Sequence, residues 1–405
     1  MNNAQPRIAI FTHDTFGLGH VRRCLHIIQG LSEQAPDAAI LFVTGSPVVH
    51  AMQSLPSNAD YIKVPTLVKT GSQGSQPPHL PIPLPEIQLI RERVIQNAIH
   101  AFQPDLFLVD NFPLGAQREL LPVLQALKHT SAKAVLGLRD IVDAPEVVCS
   151  EWKRQGIYDV LARYYDSILV YGMKEVLDIA DAYKLPPQIA GKVHYCGYVT
   201  EQPSQLRAPA EIKAELGIKG PLILATGGGG GDAFPLLQTF LSALRFVPKE
   251  FSALVFTGPL MGKADRKALK AQVNGRSGIF IRDFEKDLRN YLAAADVVVS
   301  MCGYNMAAEI LAQKACAIVV PRTWRYGEHA VGVQAGEEWE QIMRARALAK
   351  LGLVDLLEPD QLKPKLLAKR IVAALGRPKA KSKSKSAVNM QGLEQTVNHL
   401  LSVTS

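Results

Sequence analysis

The sequence predicts an α/β protein made of two doubly wound parallel-sheet domains, and three observations carry that expectation. Short β-branched runs alternate with segments of helical period along the whole chain, which is how a parallel sheet covered on both faces is written. The alternation pauses at Glu201–Pro209 and then restarts, dividing the 405 residues into two halves of ordinary domain size. Hydrophobic residues make up 47% and charged residues 20%, enough to bury a core in each half and too apolar for a disordered chain.

The strands of the first half are expected at Arg7–His13, Ala38–Thr44, Leu106–Asp110, Ala134–Leu138 and Ser167–Tyr171. Each is a short apolar run bounded by polar or turn residues. Helical period marks Val21–Leu31, Glu86–Phe102, Gly115–His129, Trp152–Tyr165 and Lys174–Tyr183 between them. Lys69–Pro85, with five prolines and two glycines, is too irregular for a sheet element and reads as a surface loop or a loop that meets a substrate. In the second half, strands are expected at Leu222–Thr226, Ser252–Thr257, Gly278–Arg282, Asp296–Ser300 and Cys316–Val320. Helices are expected at Pro235–Arg245, Lys263–Val273, Leu288–Ala294, Asn305–Ala312, Glu338–Leu351 and Pro359–Leu375. Met390–Val403 ends the chain as an amphipathic helix, with Leu393, Val397, Leu400 and Leu401 on one face. The resulting division is 1–200, 201–376, a basic linker at 377–388 and a terminal helix at 389–405.

The net charge of +8 suggests nucleic acid until it is located. Arg377, Lys379, Lys381, Lys383 and Lys385 carry most of it in one stretch without aromatic residues or apolar period. That pattern is a solvated linker, with weak attraction to anionic headgroups as its functional alternative. Nucleic acid is not expected, because no stacking aromatics are interleaved with the charges. No apolar run approaches the roughly 18 residues a membrane-spanning helix needs. The polar start leads directly into a strand, which argues against a secretory signal. Five scattered cysteines without a CxxC pair fit reduced thiols and a cytoplasmic location, in peripheral membrane contact if the linker binds headgroups.

Three turns carry the candidate chemistry. Thr15-Phe16-Gly17-Leu18-Gly19-His20 joins the first strand to the first helix, where glycines let backbone approach a ligand and free N–H groups attract an anion. It is not a dinucleotide fingerprint, because Arg22 stands where the third glycine would be. His20 feels the positive end of the helix dipole, which favours a neutral base, although on the residues alone a histidine that merely caps or packs the turn is the favoured reading. Gly227–Gly231, followed by Asp232, places five consecutive glycines between strand and helix. Ordering glycine costs about 0.5–1 kcal/mol per residue, so such a run needs a reason, and a cradle of amides around a phosphate supplies one. No GKS or GKT follows, which excludes a Walker loop. The third turn, Met301–Glu309, offers Asn305 as N-cap and Glu309 one helical turn later, where a carboxylate can accept two ribose hydroxyls. A DxD pair, HExxH, a close His/Cys cluster and GxSxG are all missing from the sequence, so neither a metal site nor an α/β-hydrolase elbow is anchored.

The residues also carry a resemblance. Phe284-Glu285-Lys286-Asp287-Leu288, Tyr291–Ser300, Cys302–Leu311 and the strand ending at Pro321 resemble the donor-binding half of GT-B glycosyltransferases, in the group of the family 28 C-terminal domain. The stretch from Phe11 to Arg23 is similar to the GxGH loop of those enzymes and of related UDP-sugar hydrolases. The resemblance implies two Rossmann-like domains facing a central cleft, with donor on the second and acceptor on the first. It implies a metal-independent, inverting transfer of a hexose or N-acetylhexosamine from a nucleotide diphosphate, UDP first, to a hydroxyl. No cofactor is implied, and the acceptor is left as a lipid-linked or small molecule. By the same resemblance His20 is the base. Gly17 and Gly19 are donor-binding, Gly228, Gly229, Gly230, Gly303, Tyr304 and Asn305 line the diphosphate, and Phe284 lies at the base-reading segment. Glu309 holds the ribose, and Glu340 and Gln341 meet the transferred sugar. Asp14, Asp110, Asn111 and Arg139, near strand ends of the first half, are acceptor-side candidates. Two features depart from the family pattern: glycines replace its GSQG loop, and Arg325–His329 lengthen the segment after Pro321. A UDP-sugar hydrolase or epimerase, and a non-catalytic nucleotide-sugar-binding module, remain the alternatives.

Overall fold

The computed structural model describes residues 5–12, 18–47, 49, 55–69, 75–200, 206–248, 250–285, 287–322, 339–377 and 388–404. Asp14, Gly17, Arg325–His329 and almost all of the basic stretch fall outside the described residues. The chain divides into two compact units, Met1–Glu201 together with Asn389–Ser405, and Gln202–Val388.

The first unit begins with β1 (Arg7–Thr12), β2 (Ala39–Thr44) and β3 (Ala59–Lys63), followed by a two-stranded antiparallel ribbon of β4 (Val68–Lys69) and β5 (Ser75–Gln76). It continues with β6 (Leu106–Asp110), β7 (Lys133–Arg139), β8 (Ser167–Tyr171) and β9 (Val193–Tyr195). The main sheet runs β3-β2-β1-β6-β7-β8-β9 with every neighbouring pair parallel. Central strands such as Leu106–Asp110 and Ser167–Tyr171 are buried at every position, because helices cover both faces.

The second unit repeats the plan with β10 (Leu222–Thr226), β11 (Ser252–Phe256), β12 (Ile279–Arg282), β13 (Val297–Ser300), β14 (Ala317–Val319) and β15 (Asp355–Leu356). Its order is β12-β11-β10-β13-β14-β15, again all parallel. Each sheet therefore reverses direction once, between β1 and β6 in the first and between β10 and β13 in the second. The crevice beyond the carboxyl ends of strands at such a switch point is where doubly wound sheets bind ligands. In register, those ends are Thr12 beside Asp110 and Thr226 beside Ser300.

Several local expectations are revised. Trp152–Tyr165 is not one helix: Pro145–Gln155 and Ile157–Tyr164 meet at Gly156, whose φ of 67° is a left-handed helix stop. Helix within Lys174–Tyr183 is confined to Ile179–Ala182, and that within Gly115–His129 to Leu121–Leu127. The proline-rich stretch contributes a strand, Ser75–Gln76, and the start of the helix Leu84–Phe102, where Pro85 needs no N–H partner. The terminal helix, Gly392–Ser402, belongs to the first unit. Its Leu393, Thr396, Val397 and Leu400 are buried, and Leu393 and Val397 lie against Gly30 of the first helix, Leu18–Gln34. A Cβ on Gly392 would come within 2.4 Å of the Tyr198 backbone, so only glycine lets the strap lie that close.

Candidate active site

At the switch point of the first sheet, the helix Leu18–Gln34 aims its first turn at the end of β6. His20 Nδ1 lies 2.6 Å from Asp110 Oδ2, a distance that needs a proton between them. Asp110 is ionised and accepts only, so the arrangement is read with the proton on Nδ1 and Nε2 bare. Arg23, one turn along the same helix face, donates from Nε to Asp110 Oδ1 at 3.1 Å and from Nη2 to Oδ1 at 2.8 Å and Oδ2 at 2.9 Å. Arg23 and Asp110 are shut off from water, while the His20 side chain keeps 17% of its surface exposed. Burial alone pushes the Asp110 carboxyl up; Arg23 first and His20 second outweigh it and hold the group below the ordinary carboxylate range.

This geometry changes the part given to Asp110. Both of its oxygens are occupied and it is buried, so it supports His20 rather than meeting an acceptor. Asn111, next to it, adopts a φ of 69° and donates its backbone N–H to the Gly137 carbonyl at 2.7 Å. Its buried Oδ1 and the buried Thr12 Oγ1 have no hydrogen-bond partner among the described residues. Arg139 closes β7, beside Tyr171 in register. Gly19 is the second residue of the helix, not part of the loop before it.

The second sheet's switch point gathers the donor-side candidates. The glycine turn leaves β10 at Thr226, whose Oγ1 accepts from the Gly228 N–H at 3.2 Å. Gly228 and Gly230 have φ of 68° and 89°, and a Cβ on Gly230 would lie 2.0 Å from the Thr257 carbonyl oxygen. A Cβ on Gly227 would collide with Ala233 at the same distance. Part of the glycine run is thus explained by packing against the turn after β11, where Gly258 (φ 84°) in turn has no room for a Cβ beside the Gly228 and Gly229 carbonyls. Gly229 is different: its nearest contact for a Cβ is Leu260 at 3.5 Å, so neither room nor backbone angle requires glycine there.

Beside this turn, after β13, the helix Tyr304–Ala312 starts from Gly303, which displaces Asn305 from the N-cap to the second helical position. Cys302, Gly303 and Tyr304 are fixed from behind by the helix Glu340–Lys350. The Cys302 N–H and the Arg322 N–H both donate to Gln341 Oε1 at 3.3 Å, and buried Arg344 Nη1 donates to the Cys302 carbonyl at 3.0 Å. The Gln341 oxygen therefore positions two loops, and Glu340 is buried with Oε2 3.8 Å from Arg344 Nη2. Glu309 is half-buried midway along Tyr304–Ala312. Phe284, beyond β12, leaves 53% of its surface in water. Asp232, closing the glycine run, pairs with Arg322 beyond β14.

Sequence reasoning did not single out Arg23, Arg344, Thr12 or Asp232. For the two arginines a signal existed: each is a charge on the apolar face of its helix, three residues after His20 and four after Glu340.

The description "Glycosyltransferase family 28 C-terminal domain" matches residues 223–400. A curated relative from Caldicellulosiruptor saccharolyticus, a UDP-N-acetylglucosamine--N-acetylmuramyl-(pentapeptide) pyrophosphoryl-undecaprenol N-acetylglucosamine transferase, is 29% identical over 161 residues. That alignment spans 37% of this chain and 40% of the relative's length. The crystal structure of MurG from Acinetobacter baumannii superimposes with a TM-score of 0.60 at 13% identity, covering 98% of this chain and 99% of that one. A structure described as a UDP-N-acetylglucosamine 2-epimerase from Listeria monocytogenes superimposes at 0.62 and 13% identity, over 99% of this chain and 96% of that one.

Proposed function

We propose that this chain, a GT-B fold whose second half belongs to the glycosyltransferase family 28 C-terminal domain, transfers a sugar from a nucleotide diphosphate to a hydroxyl group. The observation that carries the reading is the second sheet's switch point, where a glycine turn and a helix start stand side by side within the family-matched segment. Main-chain amides of the turn and the positive end of Tyr304–Ala312 suit a diphosphate and stabilise the charge it gains as it leaves. UDP is the first choice of nucleotide, because the curated relative's name specifies a UDP-sugar. Glu309 is assigned to the ribose and exposed Phe284 to the base. Gly303 and Tyr304 are assigned to the diphosphate.

His20 is assigned as the base. His20 Nε2 takes the proton of the acceptor hydroxyl as its oxygen attacks the anomeric carbon, and the bond from that carbon to the diphosphate oxygen breaks. Direct attack from the far side inverts the anomeric centre. Asp110 stabilises the imidazolium formed, as a buried carboxylate on Nδ1 does in other histidine bases. The unpartnered oxygens of Asn111 and Thr12 support an acceptor rich in donors nearby. Peripheral contact of the basic segment with anionic headgroups belongs to the same reading, and among the described residues no helix is long and apolar enough to cross a membrane.

Thermal-shift screening against UDP, GDP and TDP with and without sugars tests the donor site, since a ligand of the native state raises Tm. A Tm unmoved by every nucleotide at millimolar concentration rejects the reading. The epimerase structure keeps one alternative in view. Incubation with UDP-sugars and no acceptor separates them: epimerised nucleotide sugar or released sugar favours the alternative, whereas dependence on an added hydroxyl compound favours transfer.

A further inference from the structure

Resting on the assignment of the glycine turn to a diphosphate, we infer that Arg266 is a positioning residue, which orients the amides of that turn through the neighbouring turn after β11. Arg266 belongs to the helix Lys263–Gln272, which starts where the second turn ends. Its Nη2 donates to the Gly258 and Pro259 carbonyls, both at 2.9 Å, and its Nη1 lies 3.1 Å from Asp283 Oδ2 beyond β12. Among the described residues nothing else donates to those two carbonyls. Adjacent carbonyls converging on one point repel each other, and a cation between them turns the repulsion into attraction.

The grip reaches the glycine run through the planarity of the peptide. In a trans peptide the carbonyl and the N–H that follows it point in opposite directions. With the Pro259 carbonyl drawn to Arg266, the Leu260 N–H is turned the other way, where it donates to the Gly229 carbonyl at 2.9 Å. The same rule then applies once more. Because the Gly229 carbonyl faces the β11 side, the Gly230 N–H faces away from it. β10 lies between β11 and β13, so the Gly230 N–H is directed to the side on which the helix Tyr304–Ala312 starts. The N–H groups of Gly229, Gly230 and Gly231 donate to no partner among the described residues.

The two turns are also in backbone contact. A Cβ on Gly258, at φ 84°, would lie 2.5 Å from the Gly228 carbonyl oxygen, so a rotated Gly258 or Pro259 peptide pushes on the glycine run. On its far side the turn is tied by the Gly258 N–H, which donates to the Asp283 carbonyl at 2.9 Å. Arg266 thus acts through peptide groups. Donors fixed in advance spare the ligand the cost of ordering glycine backbone as it binds. Without Arg266 the contacts to base and ribose stay as they are, and the grip on the diphosphate loosens.

Amide NMR of the full chain carrying nitrogen-15 glycine and leucine, with titrations of UDP and uridine, tests this. In the nucleotide-free parent the Leu260 amide should be protected from exchange. Arg266→Met should lower that protection and shift the Gly229 and Gly230 resonances. The same variant should weaken UDP about tenfold and leave uridine unchanged, a split that a merely less stable fold does not produce. Arg266→Lys, whose shorter chain cannot hold both carbonyls and Asp283, should weaken UDP about threefold, again with uridine unchanged. Unaltered Leu260 protection, parent-like UDP affinity, or equal losses for UDP and uridine overturn the inference. If Arg266→Met does not fold, Arg266→Lys is read by the same criteria. A parent protein that binds no UDP fails the diphosphate reading and this inference together, whereas Arg266 variants that bind UDP like the parent overturn the inference alone.

Discussion

His20 combines a water-facing ring with a nitrogen held on a carboxylate that water does not reach. Replacing it with alanine removes general-base assistance and should lower kcat by about 10²–10⁴-fold while leaving donor affinity unchanged, measured by steady-state kinetics and calorimetry. Asp110 adds a stability consequence. Its carboxyl titrates below the ordinary range in the folded chain, so its contribution is complete above about pH 4 and is lost as pH falls through the lower folded value. Denaturant midpoints between about pH 5 and pH 2 should fall more steeply for the parent than for Asp110→Asn, whatever the variant's lower absolute stability. Equal slopes would refute the pairing. The histidine was legible in the sequence because it follows a glycine turn at a helix start. Its partners were harder to see: Asp110 ends a strand ninety residues away, and only strand order brings β6 beside β1.

At the scale of elements, the glycine turn separates packing from ligand binding. Gly230→Ala forces a Cβ into the Thr257 carbonyl at a positive φ and should cost about 1–3 kcal/mol of stability, seen as a lower Tm. Gly229→Ala meets only ordinary contacts, so its Tm should match the parent while nucleotide-diphosphate affinity drops, if that amide edge faces the ligand. Parent-like affinity in Gly229→Ala would move the diphosphate elsewhere. The terminal helix is also pH-dependent. Burial first, and neighbouring His194 second, lower the His399 pKa, and its Nε2 lies 2.9 Å from Ser167 Oγ. A histidine lowered in the folded state contributes its full stability above the ordinary value near 6.5 and loses it as pH falls through the depressed one. Protection factors of the Gly392–Ser402 amides, which correct for the slower intrinsic exchange at lower pH, should therefore fall between about pH 7 and pH 5, and His399→Gln should flatten the trend. Interior strands were readable from unbroken apolar runs. Edge strands such as Ala59–Lys63, Val193–Tyr195 and Asp355–Leu356 were not, because half-exposed strands carry polar residues that look like loop. The break at Gly156 was hidden because helical period continues across it.

For the molecule as a whole, sequence showed where one sheet ends and another begins but not where the last helix belongs. An amphipathic face states that it needs a partner without naming one, and the partner here is the helix Leu18–Gln34, hundreds of residues earlier. The second unit is consequently an insertion between two pieces of the first. Truncating Leu400 to alanine should lower the stability of the first unit by roughly 2–5 kcal/mol, measured by exchange at the first sheet, with the second unit's own exchange unaltered.

Because Asn389–Ser405 is held by side-chain packing, by the Tyr198 N–H donating to the Asn389 carbonyl at 3.0 Å and by the Asn389 N–H donating to the Met173 sulfur, a covalent tie through the lysine-rich stretch is not what keeps it in place. Trypsin that clips only between Arg377 and Lys385 would yield two polypeptides that elute as one species. A synthetic tail peptide would, in the same way, complement a chain ending before Asn389.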